Sequence, residues 1–152
     1  MGKVCTFFGH HDCPSTIKPK LNEVLVDLIE NHNVDTFYVG RQGMFDSIVR
    51  SVLRELMQLY PHIKYSVVLE RIPERKNEFD LNDYYDTMLP EGIENIHPRY
   101  AISWRNRWMI KQSEYVVAYV IRPWGGAASF MNMAVRQKGT VKSYAQISSQ
   151  AR

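Results

Sequence analysis

The sequence predicts an α/β fold, an open and mainly parallel sheet with helices on both faces. Two observations predict it. Short β-branched or aromatic runs alternate with helical periodicities along the whole chain. The run "EYVVAYVI" (114–121) is almost uninterrupted apolar sequence, as a strand covered on both faces requires.

The elements follow in order. "KVCTFFG" (3–9) is a first strand that stops at Gly9. "TIKPKLNEVLVDLIENHN" (16–33) sets Leu21, Val24, Leu25, Leu28 and Ile29 at helical spacing, with Pro19 near its start. "VDTFYVG" (34–40) is a second strand. "MFDSIVRSVLRELMQLY" (44–60) puts Phe45, Ile48, Val49, Val52, Leu53 and Leu56 on one face, and Pro61 follows the stop. "IKYSVVLE" (63–70) is a third strand, and "RYAISWRNRWMIKQS" (99–113) a helix. After the 114–121 strand, "GGAASFMNMAVRQKG" (125–139) reads as a helix closed by Gly139, and "TVKSYAQ" (140–146) as a last strand. The stretch 71–98 breaks the rhythm. It holds Pro73, Pro90, Pro98, Tyr84 and Tyr85, and reads as a lid or a surface excursion.

Bulk properties narrow the class. With 152 residues the length predicts a single domain, 1–152, able to bury a core. Nineteen basic against sixteen acidic side chains give +3, which suits anionic small molecules better than a nucleic-acid polyanion. No apolar run reaches membrane-span length, so no membrane partner is expected. The chain starts directly on a strand-like stretch, with no signal peptide, and Cys5 and Cys13 give no disulfide framework. A cytoplasmic protein is the expectation.

Ligands of such sheets bind beyond the carboxyl ends of the strands. Three strand ends carry unusual residues: "FGHHDCP", "VGRQGMFD" and "RPWGGAAS". Two set glycines where a helix begins. There the backbone can approach a phosphate, and free N–H groups with partial positive charge can meet it. On the 99–113 helix, Arg105 falls amid a face of Ala101, Ile102, Trp108 and Met109, while Arg107 and Lys111 face solvent. An arginine on a buried stripe needs an anion or a carboxylate. Arg105 therefore either grips an anionic ligand or makes a structural salt bridge with Asp46 or Glu70. The cluster His10, His11, Asp12 and Cys13 matches no common zinc spacing, so no metal is expected. His10 or His11 is instead a ligand contact or proton-transfer group, and Asp12 a turn residue. Trp124 either stacks on a base or anchors its loop.

These motifs resemble the SLOG superfamily over roughly residues 3 to 140. It is a Rossmann-like group that contains the Lonely-guy phosphoribohydrolases, the DprA DNA-processing proteins and the YpsA-like proteins. "FYVGRQGMFD" resembles the Lonely-guy glycine loop, with Gly40 and Gly43 matching. "RNRWM…EYVVAYVIRPWGGAAS" resembles the arginine helix, strand and Gly-Gly phosphate turn, and Arg105-Asn106-Arg107 also resembles a DprA motif. "FFGHH", the Tyr84-Tyr85-Asp86 segment and "RYAISWRNRWMI" are most similar to YpsA-like proteins of bacteria and their phages.

The resemblance implies a nucleotide-derived ligand and a homo-oligomer, with no further cofactor. The expected ligand contacts are Gly9, His10, His11, Gly40, Arg41, Gly43, Phe45, Asp46, Arg105, Asn106, Trp124, Gly125, Gly126, Ala127 and Ser129. In the phosphoribohydrolases the Gly-Gly turn leads to a catalytic glutamate. Here Met131 and Asn132 stand where the carboxylate belongs. Glycosidic cleavage needs a carboxylate, so the expectation is binding without turnover of an ADP-ribose, NAD-derived or cyclic nucleotide. One alternative is an N-glycosidic enzyme using His10, Asp46 or Glu70. Another is binding of single-stranded DNA, by analogy with DprA.

Overall fold

A computed structural model describes residues 2–41, 43–71, 87–122, 124–136 and 143–146. Among the described residues, six strands form one all-parallel sheet: β1 (Lys3–Gly9), β2 (Val34–Val39), β3 (Lys64–Val68), β4 (Thr87–Met88), β5 (Tyr115–Tyr119) and β6 (Ser143–Gln146). Their spatial order is β4-β3-β2-β1-β5-β6. The chain therefore winds outward from β1 through β2 and β3, then returns to lay β5 against the other side of β1. Strand order reverses between β1 and β5, which is where a doubly wound sheet opens its ligand crevice.

Among the described residues, four α-helices cover the faces: α1 (Lys18–Asn31), α2 (Met44–Leu59), α3 (Pro98–Gln112) and α4 (Gly126–Arg136). Alternation along β1 decides which side chains each pair meets. Cys5 and Phe7 join one core with Leu21, Leu25, Val49 and Leu53 of α1 and α2. Phe8 joins the other with Met109 and Ile110 of α3 and Phe130 of α4. Phe7 stacks on Phe37 at 6.0 Å and Phe8 on Phe130 at 5.8 Å between ring centres. The expected sheet with helices on both faces is thus the observed fold.

All six apolar positions predicted for α2 are buried. Helix α1 begins after a 3-10 turn at Ser15–Ile17, and Asn33 follows it with φ +60°, turning the chain into β2. Helix α3 is capped by His97, whose Nδ1 accepts from the Arg99 N–H at 3.1 Å.

The structure corrects the α3 face. Its buried residues are Ala101, Arg105, Asn106, Met109 and Ile110. Ile102 is 44% exposed, and Trp108 is half-buried against the Tyr38 ring at 5.2 Å. Hydropathy alone had placed Ile102 inward, but the helix is rotated to bury two polar side chains together. Arg107 and Lys111 are exposed, as expected. Within 71–98, the two-residue β4 and a 3-10 turn at Ile93–Asn95 occupy the described part. The lid or excursion expected there falls largely on 72–86, outside the described residues, as does the helix closure at Gly139. Among the described residues, no helix is long and apolar enough to cross a membrane.

Candidate functional site

A cavity of about 320 Å³ lies at the carboxyl ends of β1 and β5, at the switch point. That is the low end of the range for small-molecule sites. It is lined by Gly9, His10 and His11 after β1, Gly40 after β2, Asp46 of α2, and Arg105 and Asn106 of α3. The loop after β5 contributes Arg122, Trp124, Gly125 and Gly126. Ten of the fifteen expected contacts therefore meet in one place.

The loop after β5 reaches the cavity under firm restraint. His10 Nε2 accepts hydrogen bonds from the Ile121 N–H at 3.0 Å and the Arg122 N–H at 3.3 Å. Two donors on Nε2 fix the neutral tautomer with its proton on Nδ1. Burial lowers the His10 pKa, the Arg122 charge lowers it further, and Asp12 partly opposes them. Arg122 in turn grips Asp12 through both guanidinium nitrogens, at 2.8 and 3.0 Å. That pairing holds the Asp12 carboxyl down at about 2. Asp12 is thus a strap between two loops, not merely a turn residue.

Beyond this strap, Gly125 adopts φ +96°, where a side chain would be strained, and immediately precedes α4. A Cβ at Gly125 or Gly126 would meet open space. Gly125 and Gly126 line the cavity, so the start of α4, with the helix dipole behind it, borders that space. Trp124 stands at the mouth, 66% exposed.

At the glycine turn after β2, Gly40 lines the cavity but Gly43 is closed off, contrary to expectation. The His11 carbonyl accepts from the Met44 N–H at 2.9 Å, at the start of α2. A Cβ on Gly43 would stand 2.6 Å from His11 Cα. Asp46 already places a carboxylate in the first turn of α2, so this helix start repels a phosphate. Gly43 serves the packing of two loops. Phe45 is also corrected: it is 0% exposed and lies under Gly9, where a Cβ would overlap its ring. It is core and offers no face to a base.

Both readings of Arg105 find support. The residue is 2% exposed and lines the cavity. It donates to Asn106 Oδ1 from Nη2 at 2.6 Å and Nε at 3.1 Å, and its Nη1 meets the Val68 carbonyl at 3.4 Å. Nη1 also pairs with Glu70 Oε2 at 3.5 Å. Burial lowers its pKa, while the charges of Asp46 and Glu70 raise it. Arg105 is therefore first a strut tying α3 to the ends of β2 and β3. Arg41 binds the other oxygen of Glu70, and neither of those two residues lines the cavity. Ser129 is exposed on α4 and away from the lining. The Ala127 side chain lies outside the described residues.

Sequence reasoning missed Phe8, Met109 and Phe130, which form the apolar wall, and Arg122. Strand parity and the four-residue step from Gly126 to Phe130 were the available signals. Cys5 and Cys13 are buried free thiols, and burial pushes Cys13 up to about 11, so neither is a nucleophile at neutral pH. Among the described residues, no group of three His, Cys, Asp or Glu side chains is placed to hold a metal.

Strand order and crevice together define a doubly wound, Rossmann-like α/β protein. No family model and no curated protein matches the chain.

Proposed function

We propose that this protein binds a nucleotide or nucleotide-derived small molecule in the switch-point cavity and holds it without turnover, as a sensor or a sequestering protein. The observation that carries the reading is the open start of α4 at Gly125 and Gly126, facing a cavity that also has an apolar wall. Backbone N–H groups and the helix dipole suit a phosphate, and Phe8, Met109 and Phe130 suit an apolar ring system. The resemblance to the SLOG superfamily supports the same reading. Arg105 contributes field more than contact, because Glu70 and Asn106 already hold it.

The absence of a carboxylate at Met131 and Asn132 favours binding over cleavage. One observation favours the enzymatic alternative: Asp46 puts a carboxylate in the cavity wall. A panel of nucleotides, NAD, ADP-ribose and cyclic nucleotides, each incubated with the protein and then chromatographed, separates the two. A melting shift with ligand recovered unchanged is the expected result. A released base, abolished in Asp46→Asn, would establish the N-glycosidic enzyme instead.

A further inference from the structure

Asn106 is 7% exposed and lines the cavity. Its Oδ1 accepts from Arg105 Nη2 at 2.6 Å and from Nε at 3.1 Å. Arginine nitrogens only donate, so the amide has one orientation, with its oxygen to the guanidinium and its nitrogen away from it. Those two bonds occupy both lone pairs of the oxygen. Among the described residues Nδ2 has no hydrogen-bond partner, and it is not sealed from solvent. The space open to it is the cavity that Asn106 lines. There the side chain is a donor alone, with no acceptor left to offer.

The sheet places this donor. Arg105 Nη1 meets the Val68 carbonyl at the end of β3, and a Cβ on Gly40, after β2, would stand 3.1 Å from Nη2. The amide is thus anchored on the β2–β3 side of the crevice. Gly125 and Gly126 follow β5, on the other side of β1. Two strand spacings, roughly 10 Å, separate β2 from β5. Phe8 of β1, between them, and Phe130, stacked on it, belong to the apolar wall. Charge around the amide is balanced, because the Arg41 and Arg105 guanidiniums face the Glu70 and Asp46 carboxylates. A neutral acceptor therefore suits Nδ2 better than a second anion. The order across the cavity is anion position, apolar wall, neutral-acceptor position. A phosphate, a flat ring and an oxo group on that ring fill it in the same order. An asparagine amide with both atoms open can pair with the amino group and a ring nitrogen of adenine together. With Oδ1 taken by Arg105, an amino group here would meet only another donor.

We infer that Asn106 reads the base of the bound nucleotide. Its Nδ2 donates to a ring carbonyl, so the cavity takes a base with an oxo group at its far edge in preference to one with an amino group. The inference rests on the nucleotide reading and names the class of base.

Calorimetric titration of the full chain with two matched pairs tests it: inosine against adenosine 5′-monophosphate, and uridine against cytidine 5′-monophosphate. Each pair exchanges oxo for amino at one ring position. In at least one pair the oxo member should bind about tenfold tighter, the effect of one hydrogen bond replaced by two opposed donors. Asn106→Asp keeps an oxygen for Arg105 and turns the donor into an acceptor, so in that pair the preference should reverse toward the amino member. The ratio within a pair is the readout, since the added charge weakens both members alike. The wild-type comparison decides even if the variant fails to fold. Equal affinities within both pairs, or tighter amino members, would overturn the base-reading role and leave the nucleotide reading standing. An unchanged preference in a folded Asn106→Asp protein would overturn it too. Failure of all four to bind would overturn the inference, while the wider panel with NAD, ADP-ribose and cyclic nucleotides decides the nucleotide reading separately.

Discussion

At the scale of single residues, Gly126 and Arg105 separate binding from stability. Gly126 has open space around it, so Gly126→Asp fits sterically. A carboxylate at a helix start favours the helix by about 0.5 kcal/mol but repels a phosphate. Melting temperature should hold or rise slightly while nucleotide affinity falls by tenfold or more; calorimetry and thermal melts read the two effects separately. Arg105→Ala should do the reverse of a simple contact mutation. It leaves Glu70 buried with only Arg41 and strips the acceptor Asn106 of both its donors. Breaking such a buried pair costs about 3 kcal/mol, measurable as a lower urea midpoint without any ligand. An unchanged midpoint would mean that Arg105 is held for the ligand alone.

At the scale of elements, the legible and the illegible part company for physical reasons. Helix α2 could be read residue by residue because its apolar stripe is continuous, and Phe45 through Leu56 are buried as their spacing demands. Phe45 resembles a ligand contact in sequence because it follows a glycine turn, but Gly9 packs directly over its ring. Helix α3 could be read only in part. Its stripe includes Arg105 and Asn106, whose burial depends on Glu70, a residue 35 positions away. The Asp12–Arg122 strap joins residues 110 positions apart, and no local pattern announces such a pair. The stop of α1 is a local feature and makes a local prediction. Asn33 sits at φ +60°, where an alanine is disfavoured by about 1 kcal/mol. Asn33→Ala should be less stable than Asn33→Gly by about that amount in chemical denaturation, because both lose the side chain but only the alanine is strained.

At the scale of the molecule, the loops after β1 and β5 act as one unit through His10, and this unit titrates. The folded His10 pKa lies below its ordinary 6.5. The unfolded chain therefore binds a proton at higher pH than the folded one does. The contribution of His10 is fully present above pH 6.5 and is lost as pH falls through the folded value. Protonation at Nε2 would also set a proton against the Ile121 and Arg122 N–H groups. Stability should decline as pH drops below about 6.5, and His10→Gln should flatten that part of the profile in melts taken across pH. The Asp12 carboxyl, at about 2, stays ionised throughout this window, so the strap to Arg122 persists while the His10 latch opens.

The proposed nucleotide meets the protein with its phosphate at the start of α4. Amide chemical shifts of the isotope-labelled protein, followed while the best-shifting nucleotide of the panel is titrated in, test this most directly. The Gly125 and Gly126 amides should move farthest and saturate together with Asn106 and His10. Shifts centred on Gly43 and the start of α2, with Gly125 and Gly126 unmoved, would contradict it.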